Sequence, residues 1–457
     1  MHLPGISTVR LAIVLSATAL LLSACGGGPS GPDLVLYNAT VITMDSDGST
    51  AGAIAIDDGK VAAVGSDEDI LDLQGSGTET IDLGGRALMP GFVDPHTHIL
   101  NDAGSQGMTL REAQDLAFEN GITALGNLYT DSNFLRQLTA TDEQGELRVR
   151  TSLYLSRTTN CGEDLGDWYK AYPPEGDPEK MLRVVGVKLF ADGGSCGLPA
   201  YSPDLGNLWF TQQQMDQFVA EADSLGYQLA VHAIGDRGLE QAQNAIAAAL
   251  AGRPNELRHR IEHNSAIRPD LLPRYAELGI VPVISSNSGA CALFYTGEPF
   301  VGPDRTSWLR PYRALLATGV QHVAWHSDYP FTSTDPFRHM FNLVTGKQIA
   351  GGGGIDDVVD AEGFAPGDVC EPPEWAKEQT VTVQEALRMM TIDAAYALGQ
   401  ESVIGSLEPG KLADLVVVSD SPLTVDPDAI KDIQVLMTMV GGSTAFCMPA
   451  QPDICPD

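Results

Sequence analysis

Short apolar runs that end in polar residues recur through the middle of the chain. Helical patterns such as TQQQMDQFVAEADSLG and LEQAQNAIAAALAG lie between several of them. Apolar strands that alternate with helices are typical of a parallel sheet buried on both faces. Eight such units predict a (β/α)8 TIM barrel, whose reactive groups lie at the carboxyl ends of the strands. The eight predicted strands are GFVDPHTH, GITALGNLY, LRVRTSLYL, VVGVKLFAD, YQLAVHAI, RHRIEHN, GIVPVISSN and HVAWHSD.

Both ends of the chain instead show short strands joined by turns. LVLYNATVITM and AIAIDDGKVAAVG stand near the start, with Asp57, Asp58 and Gly59 as a hairpin turn. ADLVVVSD and VLMTMVGG near the end have the same character. We therefore expect a small β-sandwich domain built from residues 33–86 and 404–447, a barrel over residues 87–403, and a tail over residues 448–457.

A polar insertion is expected at about residues 346–378, within the barrel. It includes four glycines, Gly351–Gly354, but lacks the Lys-Ser/Thr pair of a phosphate-binding loop. This composition predicts a mobile surface loop, and a lid over the site is the alternative.

The first residues resemble a targeting segment rather than part of the fold. One cation, Arg10, precedes the short apolar run LAIVLSATALLLSAC, which is typical of a secretory signal. Its last residues resemble the bacterial lipobox, which would make Cys25 the lipid-modified first residue after a signal peptide of residues 1–25. Residues 26–32 would form a flexible tether. The expectation is an exported bacterial lipoprotein, periplasmic or on the outer cell surface, held at the membrane through its lipid alone; an ordinary cleaved signal is the alternative.

Composition narrows the class of partner. The chain has 457 residues, is 43% hydrophobic and carries a net charge of -33, which indicates a soluble globular protein with a heavily solvated surface. Without a basic surface it cannot neutralise phosphates, so we exclude nucleic acid as a partner. A small-molecule substrate is expected, and a homodimer is left open.

Six cysteines remain besides Cys25, and disulfides are permitted in an exported protein. One pair lies close together in the Pro-rich tail. A second pair follows the third and fourth barrel strands, which are neighbours, and the third pair would tie the insertion to the end of strand seven. The expected disulfides are Cys447–Cys455, Cys161–Cys196 and Cys291–Cys370.

Side chains that can bind a metal stand at the ends of five predicted strands. The first strand carries His96 and His98, whose spacing places both on one face with Asp94 behind them. Alone, this pair is better explained as two unrelated histidines at a polar strand end. The other four groups could each be a salt bridge or a buried histidine, yet together the set predicts a metal site. They are Lys188, His232, His263 and Asp328.

The chain resembles the amidohydrolase superfamily, in the branch that contains N-substituted formamide deformylase and related exported metal-dependent hydrolases. Six segments carry the resemblance in the family's order and cover about residues 33–445. They are MPGFVDPHTH, VKLFADG, VHAIGDRG, RIEHN, SDYP and IGSLEPGKLADLVVVSDSP.

The resemblance implies a cofactor and a set of ligands. A protonated lysine would be repelled by a metal, and in the family the corresponding lysine carries a carbamate, made from CO2, that bridges two ions. One or two divalent ions, zinc, and a carboxylated Lys188 are therefore implied. The implied ligands are His96, His98, Lys188, His232, His263 and Asp328.

The implied activity is hydrolysis of a C–N bond of an amide-like substrate (N-acyl, formamide or related) by a metal-activated hydroxide. Asp328 would act as general base and then general acid. A deaminase or a lactone or ester hydrolase on the same barrel is the alternative. A non-catalytic binding lipoprotein is disfavoured because all six ligand positions are intact.

Three positions depart from the branch pattern or need comment. Residues 99–120 alone separate the first histidine pair from the second strand, where many members carry a long insertion, so substrate specificity is not implied.

His326 stands where the branch usually has Gly, and alternation places it one layer below Asp328. We expect it to fill the barrel, with a role behind the ligands as the alternative. Cys196 lies near the reactive face, but the sequence shows no environment that would make it a catalytic thiol.

Overall fold

The computed structural model describes residues 31–194, 196–286, 290–291, 298–351 and 364–456. Strands β1–β7 precede the barrel, β8–β15 form it, and β16–β20 follow it. In chain order the strands are β1 Leu34–Tyr37, β2 Thr40–Ile42, β3 Thr50–Ala51, β4 Ala53–Asp57, β5 Lys60–Gly65, β6 Glu79–Asp82, β7 Ala87–Pro90, β8 Phe92–Thr97, β9 Ile122–Thr130, β10 Arg150–Ser156, β11 Leu182–Phe190, β12 Gln228–Ala233, β13 Arg260–His263, β14 Val281–Ser285, β15 Ala324–His326, β16 Gln348–Ile349, β17 Val369–Cys370, β18 Leu415–Val418, β19 Val435–Val440 and β20 Ser443–Cys447.

Helices separate most of the barrel strands. Thr211 shows why one of them begins where it does: its side chain and that of Gln214 satisfy each other's backbone N–H groups as a capping box. Over the described residues the α-helices are Asp67–Leu71, Leu110–Glu119, Ser132–Glu143, Gln212–Ser224, Asp236–Leu250, Leu272–Leu278, Glu298–Val301, Tyr312–Ala317, Pro336–Thr345, Glu374–Lys377, Val383–Met390 and Ile392–Ala397.

The eight-stranded sheet confirms the expected (β/α)8 barrel. Its strands follow one another in chain order from β8 to β15, and each neighbouring pair is parallel. The first and last strands meet at their carboxyl ends, where Asp328 N donates to His96 O at 3.0 Å and His98 N donates to Tyr329 O at 2.8 Å. The side chains that follow β8 and β15 are therefore neighbours.

Two further sheets form the expected β-sandwich. A four-stranded sheet has the order β5-β4-β1-β6, and a six-stranded sheet has the order β20-β19-β18-β7-β2-β3. One buried apolar cluster joins residues of both sheets, including Leu36 and Met437. Asp58 and Gly59 form the tight hairpin turn between β4 and β5, both at positive φ.

The domain boundaries expected from the sequence need two corrections. Strand β7 pairs with β2 and β18, so the barrel begins after Pro90 and not at Ala87. Residues 448–456 are not a separate tail, because Ile454 is buried in the core of the sandwich.

The lower end of the barrel is closed by packing. Residues of the helix Ile392–Ala397 share one buried cluster with interior side chains of the barrel, among them Tyr154, Ala230 and Val283. A larger cluster lies between the strands and the outer helices. The described cavity lies instead at the opposite end of the barrel, at the carboxyl ends of the strands, which we call the upper end.

The expected insertion is described only at its two ends. There β16 and β17 pair antiparallel, and Trp375 packs against a small apolar cluster with Tyr201 and Leu309. The glycine run beyond Gly351 lies outside the described residues, as do the signal segment, most of the tether and Cys25. No helix in the described ranges is long and apolar enough to cross a bilayer.

The structure joins the six cysteines in the three expected pairs. Their Cα atoms lie 5.1, 5.2 and 6.0 Å apart, inside the normal range for a disulfide. We predict that peptide mapping without reduction recovers Cys161–Cys196, Cys291–Cys370 and Cys447–Cys455 as linked peptides. Free thiols or other pairings in the folded protein would contradict this prediction.

Candidate metal centre at the carboxyl ends of the barrel strands

Strand β8 brings its two histidines to the centre of the barrel mouth. The ring centroids of His96 and His98 lie 5.4 Å apart. Pro95 stands between the hydrogen-bonded parts of this strand, where the register against β9 shifts. Gly126 on β9 permits this bend, because a Cβ atom there would lie 2.1 Å from the carbonyl oxygen of Pro95.

The carboxylate of Asp328 lies among three of the histidines. One oxygen is 3.3 Å from Nε2 of both His96 and His98, and the other is 3.8 Å from Nδ1 of His263. Asp328 itself has a φ of 56°, and this left-handed conformation turns the chain just beyond β15. Residues from the first, sixth and eighth strands thereby converge on one point.

His232 lies beside this group but faces a different partner. Its ring centroid is 4.4 Å from that of His263, while its Nε2 is 2.9 Å from the carbonyl oxygen of Gly193. Burial lowers the pKa of His96 and His263 well below the usual value and lowers that of His232 to about 3. Neutral imidazoles have lone pairs available for a metal.

Lys188 reaches the same cavity from the fourth strand. Its side chain is fully buried, and its Nζ has no hydrogen-bond partner among the residues that the structure describes. Its contact is the ring of Phe190, whose centroid lies 5.0 Å from Nζ. Burial lowers the pKa of Lys188 to about 8, so part of the population is an uncharged amine near neutral pH.

Two buried carboxylates, Asp94 and Glu262, support the histidine-bearing end of β8, and nothing in the local sequence indicates the role of Glu262. Glu262 is fully buried and accepts hydrogen bonds from Nε and Nη2 of Arg260, both at 2.7 Å. Its carboxylate also lies 2.8 Å from Nδ1 of His96. Such a partner fixes the tautomer of a metal-binding imidazole and leaves its Nε2 available. Asp94 accepts the backbone N–H and the hydroxyl of Ser327 at 3.1 and 2.5 Å, which ties β8 to β15.

A third buried carboxylate, Asp192, organises the loops above the strands. It accepts backbone N–H groups of Ala200, Ile234 and Gly235 at 2.8–3.1 Å. Burial raises the pKa of Asp192 to about 7. The VKLFADG segment contains this residue, but two of its three donors, Ile234 and Gly235, lie more than 40 residues further along the chain, so the sequence offers no signal for its role.

One cavity of about 480 Å³ contains all six expected ligands. Its other walls, as far as the described residues form them, combine apolar side chains with few charges, of which Asp102 and Arg310 are the members. This pattern is typical of a small-molecule site. The apolar walls include Phe190, Leu198, Pro199, Tyr201, Ile234, Phe300, Leu309 and Phe331.

Backbone strain concentrates around this cavity. Four non-glycine residues that line it have positive φ, and such conformations persist where the surrounding structure enforces them, often at functional sites. They are Tyr129 at 98°, His263 at 70°, Asp328 at 56° and Arg310 at 43°.

The residues fit a metal ion. Within the described ranges, the donor atoms of His96, His98 and Asp328 lie within 4.8 Å of one another, and so do those of His96, His263 and His326. Imidazole and carboxylate donors beside the buried amine of Lys188 suit zinc or a similar divalent ion. The fold and this site define the class: a (β/α)8-barrel protein with a histidine-rich site at the strand ends that could hold a metal ion.

Comparison with known proteins gives the family. The amidohydrolase family model matches residues 108–446, a span that contains Lys188, His232, His263 and Asp328 and begins after the first histidine pair. The chain belongs to the amidohydrolase family. This confirms the resemblance seen in the sequence.

Individual relatives extend the comparison. The chain is 31% identical to N-substituted formamide deformylase of Arthrobacter pascens over 58% of this chain and 46% of that protein. It is 28% identical to 5-methylthioadenosine/S-adenosylhomocysteine deaminase of Syntrophobacter fumaroxidans over 86% of this chain and 85% of that protein. The chain spans about half the length of several curated relatives that it matches.

A solved structure supports the fold. An uncharacterised metal-dependent hydrolase from Pyrococcus horikoshii superposes with a TM-score of 0.69 at 20% identity, covering 86% of this chain and 99% of that one. At this identity the likeness shows the architecture alone.

Proposed function

We propose that this protein is a metal-dependent hydrolase that cleaves a C–N bond of an amide-like substrate, an N-acyl, formamide or related compound. The observation that carries the proposal is the position of Asp328, 3.3–3.8 Å from three imidazoles inside one cavity. A carboxylate so placed can take a proton from water and then give it to a leaving nitrogen. Family membership and the similarity to a formamide deformylase support this choice of bond.

The proposed ligands are His96, His98, Lys188, His232, His263 and Asp328, with zinc as the native ion. When bound, such ions polarise a carbonyl and lower the pKa of water to about 7. In this proposal Lys188 carries a carboxyl group and so contributes an anion. Its full burial, and the lack of a hydrogen-bond partner for its Nζ among the described residues, support this. A lysine amine without an ion-pair partner is costly to keep charged in the interior.

The remaining residues orient the reaction. Glu262 holds His96 through Nδ1, and the apolar wall formed by Phe190, Ile234 and Phe331 excludes water from around the substrate. Asp328 is the proton acceptor for the attacking water and then the donor to the departing amine.

A substrate panel tests the proposal. Purified protein should release an amine from at least one N-acyl or formamide compound in a set that also includes dipeptides, esters, lactones and aminopurine nucleosides. The Asp328→Asn variant, purified in the same way, controls for contaminating hydrolases. Turnover of esters or lactones alone would reject the C–N assignment.

A deaminase is the second candidate function. The deaminase relative is matched along most of its length, in contrast to the deformylase. Release of ammonia from an aminopurine nucleoside, with no amide cleavage, would select this candidate.

We also propose that the protein is exported and anchored through a lipid on Cys25, with residues 26–32 as a tether. Replacing Cys25 with alanine should move the protein from the membrane fraction to the soluble fraction and leave its melting temperature unchanged, because the lipid is the expected attachment. Fractionation followed by immunoblotting measures this. A Cys25→Ala protein that still sediments with membranes would reject the anchor.

A further inference from the structure

His326, expected from the sequence to fill the barrel, is unusual among the buried histidines. It is fully buried at the end of β15, and neither ring nitrogen has a hydrogen-bond partner among the described residues. His339, a nearby buried histidine, has both nitrogens engaged, at 2.5 Å from Ser286 Oγ and 2.6 Å from the carbonyl oxygen of Ser333. An interior imidazole without partners is costly, so the two nitrogens of His326 need an explanation.

The surroundings of His326 point to the metal centre. Its ring stacks on that of His96 with centroids 4.8 Å apart, and it meets the ring of His263 edge to face at 5.0 Å. One donor nitrogen from each of the three rings lies within 4.8 Å of the other two. The three donor nitrogens therefore lie close enough together to share one ion, and His96 belongs both to this group and to the group of His98 and Asp328.

We propose that His326 is a metal ligand and that, with His96 and His263, it forms a three-imidazole position at the base of the centre. Three imidazole nitrogens are a donor set that zinc, copper or nickel accepts. The inference rests on the metal centre proposed above and adds a ligand to its six residues.

The charges around this position suit a cation. The carboxylate of Glu262 is fully buried and holds His96 from the side opposite Asp328. Arg260 neutralises that carboxylate, so the carboxylate of Asp328 supplies the uncompensated negative charge beside the three imidazoles. A residue that only fills the barrel needs neither ring nitrogens nor nearby charges. Ala324, two residues earlier on the same strand, fills the barrel with an apolar side chain.

Three variants test the inference: His326→Phe, His326→Cys and, as a matched control, His339→Phe. Zinc affinity is measured by competition with a chromophoric chelator, and the ligand atoms are identified by X-ray absorption of the zinc-loaded protein. His326→Phe should weaken the binding of one ion by more than the roughly 10–100-fold typical of groups that lie behind the ligands. His339→Phe should bind zinc like the wild type.

The His326→Cys variant distinguishes loss of a metal ligand from simple misfolding. A thiolate at this position should appear as a sulfur neighbour of zinc at about 2.3 Å, a signal that a purely structural residue cannot produce. Unchanged zinc affinity in His326→Phe, or zinc in His326→Cys without a sulfur neighbour, would overturn the inference. A wild-type protein that binds no divalent ion would instead reject the metal centre and with it the proposed function.

Discussion

Replacing Asp328 with asparagine is expected to lower kcat/KM by about a thousandfold, within the ~10²–10⁴-fold range of general acid–base catalysis. Asparagine keeps the shape of the side chain but cannot accept a proton from water or return it to the leaving nitrogen. Asparagine keeps one oxygen that can still contact a metal ion, and the barrel core does not depend on the carboxylate, so the melting temperature should change little. Steady-state kinetics on the best substrate of the panel measures the effect.

Asp102 provides the matched control for this experiment. It is a second carboxylate that lines the cavity, and its Oδ1 accepts from the side chain of Asn101 at 2.6 Å. Asp102→Asn should keep kcat/KM within about tenfold of the wild type, because this carboxylate has no place in the proton transfer. Equal losses in the two variants would show that Asp328 has no special role.

Replacing Lys188 with alanine is expected to remove activity and metal together. If the lysine carries a carboxyl group, the shorter side chain removes an anion that holds the ions. The loss of metal affinity should therefore exceed the roughly 10–100-fold loss typical of groups that act behind the ligands. Acetate or propionate should then enter the vacated space and restore part of both. Metal analysis and turnover, each with and without the added carboxylate, measure this.

Lys188→Arg separates the proposed role from a structural one. A permanently charged guanidinium fills the space and repels the ions, so added carboxylate should not rescue this variant. A purely structural lysine predicts the reverse order, with arginine the milder change and no effect of carboxylate. Full activity in Lys188→Ala would reject the bridging role.

Much of this fold could be predicted from local patterns. The eight barrel strands are found where apolar runs end in polar residues, and the hairpin at Asp58 and Gly59 lies where the turn chemistry placed it. The expectation that Ala87–Pro90 (β7) belongs to the barrel was wrong, because this apolar segment fits either domain. Pairing with β2 and β18, which lie far away in the chain, decides it.

The candidate site was predictable in its members but not in its geometry. Alternation places His96 and His98 on one face, whereas His263 reaches the cavity through a φ of 70°, which a sequence does not reveal for a non-glycine residue. The support from Glu262, and that from Asp192 through Ile234 and Gly235, depends on contacts between distant segments. Local sequence carries no information about such contacts.

His326 shows the same limit most clearly. Its position one layer below Asp328 follows from alternation. That its ring nitrogens find no hydrogen-bond partner in the part of the chain that the structure describes depends on residues of several other strands. Burial with two unsatisfied nitrogens, which distinguishes it from His339, becomes visible only in three dimensions.

Metal analysis of the purified protein, combined with chelation, tests the central claim most directly. We expect one or two divalent ions per chain, zinc before others, loss of hydrolysis on treatment with a chelator, and recovery when zinc is added back. The metal-free protein should remain folded enough to rebind the ion. A metal-free preparation that is fully active would contradict the account.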